Sequence, residues 1–170
     1  MTCQQTMTDQ PALGKDEFER RLKKLALREG MTFATFAALA GPDKMVLQTT
    51  LVRNFEAGRV YAEREINTRL KAWLDGPGCM VETDHVNLRR LLVDTAVLNR
   101  TSDCAEYRIA PEACAALSPE LAAIDAAALV AEARRAALEQ RAARKAAWQQ
   151  RPDASPAPAD AGNGGAADAR

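Results

Sequence analysis

Arg89 and Arg90 stand side by side in a stretch that starts at Asp84 and reads His-Val-Asn-Leu-Arg-Arg-Leu-Leu-Val-Asp from His85 to Asp94. A guanidinium can bond bidentately to guanine, and an asparagine amide can do the same to adenine. Asp84 is suited to cap a helix running through Ala96, with Leu88, Leu91, Leu92 and Ala96 turned inward. That arrangement leaves His85, Asn87, Arg89 and Arg90 room to point outward, where residues near a helix start are best placed for base edges. Arg100 and Arg108 follow on either side of the turn Thr101-Ser102-Asp103-Cys104. From there each is within reach of a phosphate, a contact that positions a protein without reading sequence. Each of these residues also has a plain structural use. Arg90 and Asp94 are four apart and suit a surface pair worth a few tenths of a kcal/mol, and Arg100 and Arg108 can simply solubilise a two-stranded edge.

Other chemistries find little support. His85 is the single histidine, and Cys3, Cys79, Cys104 and Cys114 are scattered without Cys-x-x-Cys spacing. No ligand set at metal-binding spacing is present, nor a Gly-x-Ser-x-Gly elbow or a phosphate-cradling Gly-x-x-x-x-Gly-Lys. The expectation is therefore a protein that is not an enzyme, with no catalytic residue and no need of a metal or organic cofactor. The simple reading of the thiols is that they are reduced, in a cytoplasm. Cys79 lies in a Gly/Pro loop with no basic residue adjoining it in sequence, so a redox role has little behind it. Met1 to Lys15 is polar, unlike a signal peptide, and no run approaches the length of a membrane span. Lys and Arg number 23 and so do Asp and Glu, giving a formal net charge of zero. There is no global pull toward nucleic acid or an anionic membrane, so any such contact must rest on local charge.

The elements that would carry these residues can be read from periodicity. Residues 1–14 form a leader broken by Pro11 and Gly14. Asp16 can cap a helix to about Glu29, with Phe18, Leu22, Leu25 and Ala26 as its buried stripe and Gly30 as its stop. Thr32 can cap a short helix through Leu39, and Asp43 a helix to about Glu56 with Leu47, Leu51 and Phe55 along one edge. Arg59-Val60-Tyr61 suits a short strand. Ala62 to Leu74 has the best amphipathic pattern, with Ile66, Leu70, Trp73 and Leu74 on one face. A loop from Asp75 to about Thr83 separates this helix from the Asp84 helix, and Val97–Arg100 and Glu106–Ile109 read as two strands joined by a wing-like turn. Phe55, Tyr61, Trp73 and Tyr107 belong in the core by their spacing. Beyond Pro111 the composition shifts. Ser118-Pro119-Glu120 begins a helix to about Gln150, rich in Ala, Arg and Glu with few large apolar residues, and the Ala/Pro/Gly/Asp stretch from Pro152 to Arg170 suits a disordered tail. A dimer zipper along that helix would place alanine and Arg135 at core positions, so an exposed extension fits equally well.

Three blocks of the chain resemble a bacterial family catalogued as domain of unknown function 2087. The first holds Phe55, Gly58, Arg59, Tyr61, Glu63, Glu65, Ile66 and Asn67. The second holds Asp84, Leu88, Arg89, Arg90, Leu92, Val93 and Asp94, and the third Leu98, Arg100 and Tyr107. The resemblance implies a small winged-helix-like domain of the kind seen in bacterial transcriptional regulators. The chain departs from the family pattern at Ala62, where a threonine is usual; this loses the hydroxyl half of a capping box whose other half would be Glu65. The family pattern also leaves room for a structural role, in which Glu63, Asn67 and Asp94 bond to Arg89 or Arg90 and, together with Tyr61, Glu65 and Tyr107, maintain the fold.

The expected architecture is mostly α with a small β-hairpin: a winged helix-turn-helix core plus a long C-terminal helix. Its divisions are a leader at 1–14, a winged-helix-like domain at 15–110 (family-like segment 55–108), a helical extension at 111–151 and a tail at 152–170. The expected function is DNA-binding transcriptional regulation, with double-stranded DNA as partner, His85, Asn87, Arg89, Arg90, Arg100 and Arg108 as candidate contacts, a possible homodimer and no membrane. The alternative is a non-enzymatic protein-interaction module on the same scaffold.

Overall fold

The computed structural model describes residues 13–28, 30–103, 105–115 and 117–150. Most of the leader, the tail from residue 151, and Cys104 in the expected wing-like turn lie outside the described residues. The protein is mostly helical, with a small antiparallel sheet and a long C-terminal helix. Among the described residues, those up to Ala137 form one compact unit and those from Leu138 a second.

Helix α1, Lys15–Ala26, buries Phe18, Leu22, Leu25 and Ala26, the stripe its periodicity dictates. Its cap is Gly14 rather than Asp16, which sits in the first turn, where its charge complements the helix dipole. Strand β1, Met31–Thr32, leads into α2, Phe33–Ala37, whose start Thr32 caps by accepting from Thr35 N. Helix α3, Gly41–Val52, starts two residues before the expected Asp43 cap. Pro42 fits the first turn because its missing N–H has no partner to lose there. Asp43 instead accepts from Arg21 Nη1 at 2.8 Å and ties α1 to α3. The helix also ends earlier than expected. Asn54 Nδ2 donates to the carbonyls of Thr50 (2.9 Å) and Leu51 (3.1 Å), capturing acceptors the next turn would have used.

Strand β2, Tyr61–Ala62, replaces the expected strand at 59–61 and runs directly into α4, Glu63–Asp75. Ile66, Leu70 and Trp73 of α4 are buried and Leu74 is half-buried. Within the expected loop lies β3, Val81–Glu82, parallel to β1 with Met31 opposite Val81. Its approach depends on Gly78, whose N–H donates to Trp73 O at 2.8 Å while a Cβ there would stand 2.4 Å from the Trp73 ring. Helix α5, His85–Asp94, is followed by β4, Leu98–Arg100, and β5, Glu106–Ile109. The three antiparallel strands lie in the order β2-β5-β4, with Tyr61 opposite Tyr107 and Arg100 opposite Tyr107 on its other side.

The C-terminal region is not one helix from Ser118. A short α6, Pro111–Ala115, comes first. Ser118 does cap a helix, accepting from Leu121 N, but α7 is only Pro119–Ala122. Asp125 Oδ1 then accepts from Ala128 N at 3.0 Å and opens α8, Ala126–Gln149. Arg53 bonds the carbonyls of Ala122 and Ile124 across this break, which gives these peptide oxygens partners outside the helix. The core gathers the inward faces of α1, α3, α4 and α5 with the β2–β5 tyrosines, Ile124 and Val130. Each buried Leu, Ile or Phe side chain contributes roughly 1.5–3 kcal/mol.

Candidate functional site

Asp84 caps α5 as its type and position require, accepting from Val86 N at 2.8 Å and Asn87 N at 2.7 Å. These backbone donors, Asn87 first, hold the Asp84 carboxyl below its usual pKa. Leu88 and Leu92 turn into the core, so at 3.6 residues per turn the outward face carries Asn87, Arg90 and Asp94, all three exposed. His85 is half-buried in the first turn. The alternative Arg90–Asp94 surface pair does not form within ion-pair distance, and Arg90 has no hydrogen bond or ion pair with the described residues.

Arg89 behaves otherwise. Its Nη1 donates to Glu63 Oε1 and to Asn67 Oδ1, each at 2.6 Å, and its guanidinium lies 5.6 Å from the centre of the Tyr107 ring. Only 14 % of the Arg89 side chain is exposed, against 48 % for Glu63. The hydrogen bond and charge of Arg89 lower the pKa of Glu63. Arg89 therefore fastens α5 to the first two turns of α4 and to β5.

A second cationic knot forms around Tyr61 of β2. Tyr61 is buried with its ring at 90° to Phe55 and 5.5 Å from it, and Glu56 N donates to its hydroxyl at 2.6 Å. Arg59 and Arg69 approach the Tyr61 ring at 4.9 Å and 5.0 Å. Glu65 Oε1 accepts from both, at 2.6 Å and 3.3 Å, and Arg69 also bonds the carbonyl of Asn54. Arg69 was not legible as a functional or structural key from its neighbours; the signal available was its i+4 spacing from Glu65 on a helix. Ala62, where the family pattern has threonine, is the N-cap of α4 and supplies no side-chain cap.

The hairpin separates its two arginines. Successive strand residues point to opposite faces, so Arg100 shares a face with its cross-strand partner Tyr107, while Arg108 opposes Asn99 on the outer face. Both arginines are exposed. The turn is organised by Asp103, whose Oδ1 accepts from Ala105 N at 3.1 Å and from the Thr101 hydroxyl; these bonds, Thr101 first, lower its pKa. Arg89, Arg90 and Arg100 meet Glu63, Asp94 and Tyr107 around an open cleft of about 370 Å³ between α4, α5 and the hairpin. Such a lining, three guanidiniums against two carboxylates, suits anionic or hydrogen-bonding ligands. His85, Asn87 and Arg108 do not line it. At the distant α4–β3 loop, Cys79 gains a basic neighbour that its sequence context lacked: Arg134 Nη1 donates to its Sγ at 2.7 Å.

These elements define a mostly helical domain in which a strand, two helices and a hairpin are tied together by arginine–carboxylate and arginine–tyrosine contacts. Residues 41–109 match the family model described as "Uncharacterized protein conserved in bacteria (DUF2087)", the family that the sequence blocks resemble. The match runs from the first residue of α3 to the last of β5 and thus extends the expected 55–108 segment by one helix. No curated protein and no solved structure matches the chain. No helix among the described residues is long and apolar enough to cross a membrane.

Proposed function

We propose that the protein is a DNA-binding transcriptional regulator in which α3, β2, α4, α5 and the β4–β5 hairpin act as a winged helix-turn-helix. The observation that carries this reading is the order and pairing of those elements around α5: a helix with a polar outward face, backed by a helix and flanked by a hairpin whose return strand pairs with β2. In this reading Asn87 and Arg90 of α5 enter the major groove, where an arginine reads guanine and an asparagine reads adenine. His85 follows at the helix start, and Arg100 and Arg108 hold phosphates from the two faces of the hairpin. Arg89 sets the angle of α5 instead of touching bases, because Glu63 and Asn67 take up its Nη1 and hold the guanidinium against α4. The role is binding rather than catalysis, it calls for no cofactor, and it suits a cytoplasmic homodimer reading two half-sites.

Selection from a random duplex library tests the reading. The parent protein is expected to enrich a defined site, and Arg90→Ala to lose about 1–3 kcal/mol at that site with the fold intact. Binding that ignores both sequence and salt would remove the proposal, since phosphate contacts must weaken as salt rises.

One observation favours the alternative of a protein-interaction module. An apolar groove bordered by Phe36, Leu39, Leu47, Leu91 and Val97 opens between α2, α3 and α5. Such a module would bind its partner with little dependence on salt, and no duplex would compete.

A further inference from the structure

Helix α8 changes character along its length. In its first turns Ala126 and Val130 are buried, and Arg134 reaches Cys79. At 3.6 residues per turn, Leu138, Arg141, Arg144, Lys145 and Trp148 fall within one arc of about 120°. All five are exposed, Leu138 at 65 % and Trp148 at 64 %. Glu132 and Glu139 lie on the opposite side of the helix. The distal half of α8 thus presents three cations and two large apolar side chains in one stripe that carries no carboxylate.

We infer that this stripe is a second nucleic-acid contact, lying along the phosphate backbone of duplex DNA and independent of base sequence. The inference rests on the DNA-binding reading of α5 and extends it. Charge complementarity selects the partner: three cations on one side of a rigid helix match a row of phosphates, and the Leu138 and Trp148 side chains can cover sugar surface. A second copy of α8 is a poor occupant, because parallel pairing sets each cation against its own equivalent and antiparallel pairing sets Arg141 against Lys145. A membrane surface is also disfavoured, since a helix lying in the interface separates its basic residues from its apolar face, and here they share one stripe.

The test uses the full chain, a duplex containing the selected site and a scrambled duplex. The triple variant Arg141→Gln/Arg144→Gln/Lys145→Gln is expected to lower the slope of log K against log salt by about 2–3 on both duplexes, at about 0.9 per phosphate contact. The ratio of the two affinities should stay unchanged. Acrylamide quenching gives an independent readout, because Trp73 is buried and Trp148 is exposed; duplex should protect Trp148 in the parent and not in the triple variant. A parental salt slope in the triple variant overturns the inference, and the α5 reading survives if Arg90→Ala still abolishes sequence preference. Loss of slope in the triple variant with no effect of Arg90→Ala supports the α8 contact and removes the α5 reading. If the parent binds neither duplex, both fall. The inference is also overturned if the triple variant shifts a dimer to monomer, or loses binding to phosphatidylserine vesicles, while duplex affinity holds.

Discussion

Arg89 and Arg90 are neighbours in the chain and opposites in the structure: Arg89 Nη1 sits 2.6 Å from both Glu63 Oε1 and Asn67 Oδ1, whereas Arg90 points from the exposed face of α5. Adjacent residues on a helix diverge by about 100°, which is enough to send one guanidinium against α4 and the other to the surface. The two should therefore separate stability from binding. Arg89→Ala removes two short bonds to Glu63 and Asn67 and is expected to cost about 1–3 kcal/mol, read as a lower denaturant midpoint. Arg90→Ala should change stability by no more than about 0.5 kcal/mol while weakening duplex binding. An Arg89→Ala variant as stable as the parent would dismiss the positioning role given to Arg89.

The same contact makes stability depend on pH. Glu63 has its pKa lowered by Arg89, and Asp84 by the amides of Asn87 and Val86. A carboxyl whose folded pKa lies below its unfolded value favours the folded state once pH exceeds the unfolded pKa, and that contribution disappears as pH falls through the folded pKa. Stability should be level near neutrality and decline from about pH 5 downward. Glu63→Gln and Asp84→Asn should each flatten that decline. Urea midpoints across this range, compared between parent and variants, decide the matter; parallel curves would mean that neither carboxylate is linked to folding.

What could be read from the sequence follows the range of the interactions concerned. The stripe Phe18, Leu22, Leu25 and Ala26, the Asp84 and Thr32 caps, and the inward placement of Tyr61, Trp73 and Tyr107 are local signals, and each is present in the structure. The direction of Arg89 is set by Glu63 and Asn67, 26 and 22 residues upstream, and that of Arg134 by Cys79, 55 residues upstream. No local pattern carries such information. The β1–β3 pairing involves two residues per strand, too few for any alternation to register. The break between α7 and α8 turns on Asp125, a single capping residue that the helix-favouring composition around it masks.

Helix ends offer two stabilising substitutions. At the end of α5, Val97 N donates to Leu92 O at 2.8 Å and Ala96 N to Val93 O at 3.0 Å, closing the last turn around a residue with φ of 56°. Glycine is the usual occupant of that left-handed position, and an L side chain there costs roughly 1–2 kcal/mol. Against the extra entropy glycine gains in the unfolded chain, Ala96→Gly should still raise stability by about 0.5 kcal/mol. At the start of α4, Ala62→Thr supplies the missing cap oxygen three residues before Glu65 and should add about 0.5–2 kcal/mol. The two sites lie in different elements, so the double variant should show the sum. A fall in thermal midpoint for Ala62→Thr would mean that the β2–β5 pairing at Ala62 and Glu106 rejects the larger side chain.

Beneath these surface features, one polar pair sits inside the core. Thr50, the buried polar residue of α3, donates its hydroxyl to Leu47 O at 2.8 Å and accepts from Trp73 Nε1 at 3.0 Å. The hydroxyl thus satisfies an indole N–H that has no access to water, since only 2 % of Trp73 is exposed. Thr50→Val keeps the shape and removes the acceptor, leaving the donor stranded at a cost of about 1–3 kcal/mol. Thr50→Ser keeps the bond and loses one methyl group, so its cost should stay near 1 kcal/mol, in the range of a single buried methylene. Denaturation midpoints rank the two variants, and Trp73 emission should change in Thr50→Val because its hydrogen bond is gone. If Thr50→Ser were the more destabilised, packing against the methyl group rather than the indole bond would be what this position supplies, and α3 and α4 would be joined by shape alone.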